Sequence, residues 1–328
     1  MEKLKQREDL LAIGIAGSIA YGDPWPGSDL DIEVVLRGDR PKEIVTTEQE
    51  ISVDYGYFGE SNLKEVPYDT RPIYDPTGLL TRELASRDRQ EVIEHEISEA
   101  VNESQDLLRR GETALRTDPY SALVFIHLTT WRLNYALTLA AGGNRTIRRA
   151  VSRLDGALAK IRRQDLLADY GTLLGFPTTL ERAGELLTEL QQGYREVWGY
   201  FKGKPLGPVY MLLQPDSEAW FHNRIRPVYE YDRRDLVWLV YEEFPFVLYY
   251  FFRLAGHERT PINVFEEAGK FEGPPSLWSG RYRRVLGFFP AEKISLLIET
   301  GNRLLDEVKD LSAARLWAKH EVAKTQGH

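Results

Sequence analysis

The hydrophobic pattern of this chain changes period once, and that change restricts the fold more than any other feature of the sequence. From residue 10 to about residue 81, short alternating runs (LLAIGIAG, DLDIEVVL, ISVDYGYF and RPIYD) are separated by Gly, Pro, Asp and Ser. Alternation with period two, broken by turn residues, marks β-strands. Beyond that point the period becomes 3.6: Ile93, Ile97, Ala100, Val101, Leu107 and Leu108 form one stripe of a long amphipathic helix. Asp118-Pro119 reads as the cap and first turn of the next helix, and Gly142-Gly143 as its stop. Further helices are expected from about 146 to 167 and from about 180 to 201. FKGKPLGP, residues 201–208, reads as a connection, because two Pro and two Gly do not fit inside a helix. The remainder carries the aromatic helices VWLVYEEFPFVLYYFFRLAG and AEKISLLIETGNRLLDEVKDL, divided by a Gly/Pro-rich segment around EGPPSLWSG. Its aromatic stretch, 237–252, reads as core. Strands first and helices afterwards make an α+β chain, with expected divisions at 1–90, 91–202 and 203–328.

Composition then removes several classes of function. At 328 residues the chain exceeds one ordinary core, and 42% hydrophobic residues with 28% charged residues suit a folded globular protein. No run of 18 apolar residues is present, and the opening MEKLKQREDLLAIGIAGS has too short an apolar stretch for a removable signal. A cytoplasmic protein that does not engage a membrane is expected. Without cysteine there is no disulfide or thiolate metal site, and the six histidines lack the spacing of a zinc site. A net charge of −8 disfavours a long nucleic acid as partner.

The stretch AGSIAYGDPWPGSDLDIEVVL, residues 16–36, carries the chemistry. In an extended strand Asp29 and Asp31 point the same way about 6.6 Å apart, while Leu30 and Ile32 face the other side. Two carboxylates at that distance repel by roughly 2.5 kcal/mol at an effective dielectric of 20, so a divalent cation between them supplies a reason to keep both ionised. Hard oxygen ligands suit Mg²⁺, which takes one or two carboxylates together with phosphate oxygens and water. Gly17-Ser18 stands ten residues earlier at the end of an apolar strand, where small side chains let backbone N–H groups and a hydroxyl approach phosphate. Asp54, on the opposite face from Ile51, Val53 and Tyr55, is the best third acid. It could complete the metal site or deprotonate an acceptor hydroxyl.

Gly17-Ser18, ten residues, Asp29-Leu30-Asp31 and an acid on a later strand together resemble the nucleotidyltransferase fold of the DNA polymerase β superfamily. The small catalytic region followed by a larger helical one is similar to the kanamycin and streptomycin nucleotidyltransferases and to the minimal nucleotidyltransferases. The resemblance spans residues 10–80 and implies a small mixed β-sheet catalytic domain. It implies transfer of a nucleoside monophosphate, adenylate from ATP in the first instance, onto a hydroxyl of a small molecule. It further implies two Mg²⁺ ions held by Asp29, Asp31 and Asp54, with Ser18 cradling the triphosphate. Many relatives carry a basic residue two or three positions after the serine. Ile19-Ala20-Tyr21 stand there instead, so the triphosphate charge must be met from elsewhere. A nucleotide-sensing module without turnover, or transfer onto a protein or tRNA, are the alternative outcomes, and a homodimer is left open.

Other polar residues carry weaker signals. Glu33 shares the face of Asp29 and Asp31 but is expected to leave the site into solvent; Asp75, before Pro76, reads as a turn or cap residue. The run RTIRRAVSRLDGALAKIRRQ, 145–164, reads as a solvated helix face, the alternative being a wall that meets phosphate through Arg148, Arg149 or Arg153. Arg132 is the candidate for nucleotide contact in the helical region, against a structural ion pair. His127 reads as a core group rather than a base.

Overall fold

The computed structural model describes residues 2–25, 28–39, 43–47, 53–144, 148–201, 221–289 and 293–326, with side chains except at 2–3, 43–47 and 315–326. The chain is α+β, and it divides into two compact units, Met1–Val92 with Phe201–Pro227, and Ile93–Tyr200 with Val228–His328. The sequence suggested three successive divisions. The third does not stand by itself, because Arg233–Leu254 packs on Pro119–Ala140 and Ala150–Lys160, and Ile294–Gln326 packs on Pro119–Ala140 and Gln164–Leu173. The expected connection at 202–208 lies outside the described residues.

The first unit is built on a five-stranded mixed sheet: β1 (Leu10–Ala16), β2 (Leu30–Leu36), β3 (Glu43–Thr47), β4 (Val53–Gly59) and β5 (Arg71–Tyr74), in the order β3-β4-β2-β1-β5. β1 runs antiparallel to β2 and β5, β3 antiparallel to β4, and β2 parallel to β4. The end of β1 therefore lies beside the beginnings of β2 and β4, and the register sets Asp31 between Ala16 and Asp54. Four of these strands follow the sequence pattern. β3 was not expected, since EIVTT is short and set among charged residues that hide its alternation.

β2 is covered on both faces, with every residue from Ile32 to Leu36 buried. On one side Val35 joins Ala12, Phe58, Leu63, Val66 and Leu80, under the Glu60–Glu65 turn and the Leu79–Ser86 helix. On the other, Ile13, Ile32, Val34 and Leu36 pack with Tyr55 and Tyr57. This double cover fixes β2 between two packed layers, with Asp31 as its second residue.

In the second unit the helices Arg89–Leu115, Pro119–Ala140, Ala150–Lys160, Gln164–Leu173, Ala183–Phe201, Arg233–Leu254, Pro274–Leu286 and Ile294–Gln326 supply most of the structure. Asp118 caps the Pro119–Ala140 helix by accepting from the Tyr120 N–H, and Gly142 follows its end at φ +78°. The aromatic stretch is core: Val237, Trp238, Tyr241, Phe244, Val247, Phe251 and Phe252 are all buried. The helix expected over 146–167 is two helices, broken where Arg162 takes φ 59°. The segment expected to divide the aromatic helices is itself helical from Pro274, because Pro at the first positions lacks only a hydrogen bond that no helix start can make. On Arg89–Leu115 the buried stripe includes Ser104 and Leu108, with Leu107 at its half-buried edge. Among the described residues no helix is long and apolar enough to cross a membrane.

Candidate metal centre

The site is assembled where three strand ends meet. β1 stops at Ala16, and Gly17 turns the chain at φ +67° into the short Gly17–Ala20 helix. Only glycine fits there. Positive φ is unfavourable for other residues, and a Cβ would stand 2.0 Å from Asp31 Oδ2. Gly17 is thus explained by the carboxylate that packs against it. Ser18 donates through Oγ to Ser28 Oγ at 2.9 Å, and the same Ser28 oxygen accepts from the Trp25 N–H at 2.9 Å. These bonds tie the Gly17-Ser18 turn to the loop that delivers Asp29.

Asp29 immediately precedes β2, Asp31 is its second residue, and Asp54 is its register partner on β4. One oxygen from each of Asp29, Asp31 and Asp54 lies within 4.8 Å of the others. Opposite ligands stand about 4.2 Å apart around octahedral Mg²⁺ and about 4.8 Å apart around Ca²⁺, so three hard oxygens at this spacing can share one divalent cation, with a small inward shift where the ion is Mg²⁺. The donor set fits.

The fourth member was missed in the sequence. Arg224, on the π-turn Phe221–Ile225 of the same unit, has a side chain only 2% exposed and forks onto Asp54, donating from Nη2 to Oδ1 at 2.8 Å and from Nη1 to Oδ2 at 3.1 Å. Nη1 also donates to Asp29 Oδ2 at 3.1 Å. Bidentate guanidinium–carboxylate pairing is among the strongest hydrogen-bonding arrangements available. It also offsets part of the cost of burying these charges. No local pattern marks Arg224, which lies 195 residues from Asp29 and 170 from Asp54.

Glu33 corrects the expectation that it would be solvated. It is 8% exposed, and a Cβ on Gly56, its register partner on β4, would stand 2.2 Å from Glu33 Oε2. Alternation located its face, but cover on that face keeps it from water. Asp75 is the turn and cap residue expected: its Oδ2 accepts from the N–H and hydroxyl of Thr81, both at 2.8 Å.

The remaining candidates belong to the helical unit. Arg132 pairs with Glu103 and stacks on the Trp131 ring, 4.0 Å from its centroid. His127 is fully buried, shares a 3.1 Å hydrogen bond with the Tyr282 hydroxyl, and is depressed by burial to about 3, as a core residue would be. The basic run is not a uniformly solvated face. Arg149 is 6% exposed, and Arg148 acts electrostatically on Glu242 and Glu243, whose carboxyls burial pushes upward. Nothing in that unit brings three acids together among the described residues.

No protein-family model matches the chain, and no curated protein matches it.

Proposed function

We propose that the sheet unit transfers a nucleoside monophosphate from a Mg²⁺-bound nucleoside triphosphate, ATP in the first instance, onto a hydroxyl of a small molecule. The observation that carries this reading is the convergence of Asp29, Asp31 and Asp54 within 4.8 Å, beside a glycine turn that Asp31 contacts and that Ser18 continues. Mg²⁺ held by these acids would neutralise charge developing at the α-phosphate. Ser18, fixed through Ser28, would offer its hydroxyl and backbone to phosphate oxygens. Asp54 has both oxygens accepting from Arg224, so the guanidinium competes with any role for it as metal ligand or as base.

D31N removes one anionic ligand while keeping the shape of the side chain. It is expected to fold as wild type and to lose Mg²⁺-dependent pyrophosphate release by at least about a hundredfold, in line with the loss of a charge-stabilising group. Retained release in D31N contradicts the reading.

A second reading, nucleotide binding without turnover, is favoured by one observation: an arginine is paired with two of the three acids. Titration calorimetry with ATP and Mg²⁺, run beside a pyrophosphate assay over a panel of hydroxyl acceptors, separates the two. Binding without any pyrophosphate supports the second.

A further inference from the structure

We propose that Arg224 is an internal competitor of the divalent cation, a latch that holds two of the three acids in ion pairs until the Phe221–Ile225 turn withdraws. The proposal rests on reading Asp29, Asp31 and Asp54 as the metal site. The oxygens that the guanidinium engages, Asp29 Oδ2 and both oxygens of Asp54, belong to two of the three residues whose oxygens gather within 4.8 Å. A guanidinium and a divalent cation sharing these carboxylates repel each other at a few ångströms, in surroundings that screen little because the Arg224 side chain is only 2% exposed.

The competing bonds are strong. Three charge-assisted hydrogen bonds converge from one side chain, and the planar fork matches Asp54 on both oxygens. Metal entry at the lone pairs they occupy therefore competes with them, and the apparent metal affinity falls by the fraction of time that the latch is open. The element bearing the latch suits a movable part. Phe221–Ile225 is a single π-turn running directly into the Arg226–Tyr231 helix, and rewinding a π-turn to α geometry shifts its register by one residue. Arg224 thereby joins the regulation of the site: whatever stabilises the withdrawn turn raises metal affinity, by linkage.

The test uses Mn²⁺ as probe, its free concentration counted by electron paramagnetic resonance, with the full-length chain. R224Q is expected to bind Mn²⁺ about tenfold or more tightly than wild type, and its thermal midpoint is expected to rise further on saturation with Mn²⁺. Should R224Q fail to fold, R224K keeps a cation without the fork and is expected to show a smaller gain in the same direction. The gain should vanish when D31N is added to either variant. Equal or weaker Mn²⁺ binding by the Arg224 variants overturns the proposal while leaving the metal-site reading intact, whereas a gain that survives D31N places the metal away from Asp31 and overturns both. Absence of Mn²⁺ binding from every protein overturns both.

Discussion

Gly17 shows how closely single residues are constrained here. Its positive φ and the 2.0 Å separation that a Cβ would have from Asp31 Oδ2 make alanine doubly unfavourable. G17A is expected to lower stability by about 1–2 kcal/mol from backbone strain alone. It should also displace the Asp31 carboxylate and weaken Mn²⁺ binding at least about tenfold, measured by urea unfolding and metal titration on one preparation. A variant that binds metal as wild type does would show that Asp31 need not rest on the turn. Gly17, Ser18, Asp29, Asp31 and Asp54 were legible because strand alternation and a local turn motif fix their faces from a few neighbouring residues. Arg224 was not, since its meaning comes wholly from a contact across 170 or more residues. Glu33 was misread for a related reason: periodicity tells which face a side chain takes, not what covers that face.

At the scale of elements, the Ala150–Lys160 helix gets its N-terminal satisfaction from another helix. Asp235 of Arg233–Leu254 accepts from the N–H groups of Val151 and Ser152 at 2.7 and 3.1 Å and from the Ser152 hydroxyl. The carboxylate is 0% exposed, and burial raises it to about 6. D235A leaves one buried and one half-buried backbone donor without this acceptor and is expected to cost about 2–4 kcal/mol. D235N keeps an acceptor oxygen for both and should recover at least half of that loss, as read from urea midpoints. Equal losses in the two variants would mean that packing, not capping, sets the effect. The sequence showed the helix but not its cap, because the residue before it, Arg149, offers no side-chain acceptor and the true cap is 84 residues away. Likewise the break at Arg162 lacks the Gly or Pro that announces most helix ends.

For the whole molecule, acid stability depends on a group that takes no part in the chemistry proposed above. Burial holds His127 near 3 in the folded protein, below its usual 6.5, so the unfolded chain binds the extra proton between those values. Stability contributed by neutral His127 is therefore present above about 6.5 and lost as pH falls toward about 3, at about 1.4 kcal/mol per pH unit. Buried Asp235 and Glu243, raised to about 6 and about 7, act in the opposite sense, so the comparison must be made between wild type and H127F. H127F is expected to lose less stability than wild type between pH 6 and 4, followed through Trp238 and Trp278 fluorescence; parallel curves would contradict it. At this scale the sequence conveyed the α+β order but not the pairing of segments 93–200 and 228–328 into one unit, since helical periodicity reports a buried face without naming its partner. The central claim concerns the sheet unit, and crystals grown with Mn²⁺ and a nonhydrolysable ATP analogue test it most directly. The account predicts anomalous scattering from manganese bound by oxygens of Asp29, Asp31 and Asp54, with the triphosphate against Ser18. Manganese elsewhere, or a triphosphate bound away from that turn, would contradict it.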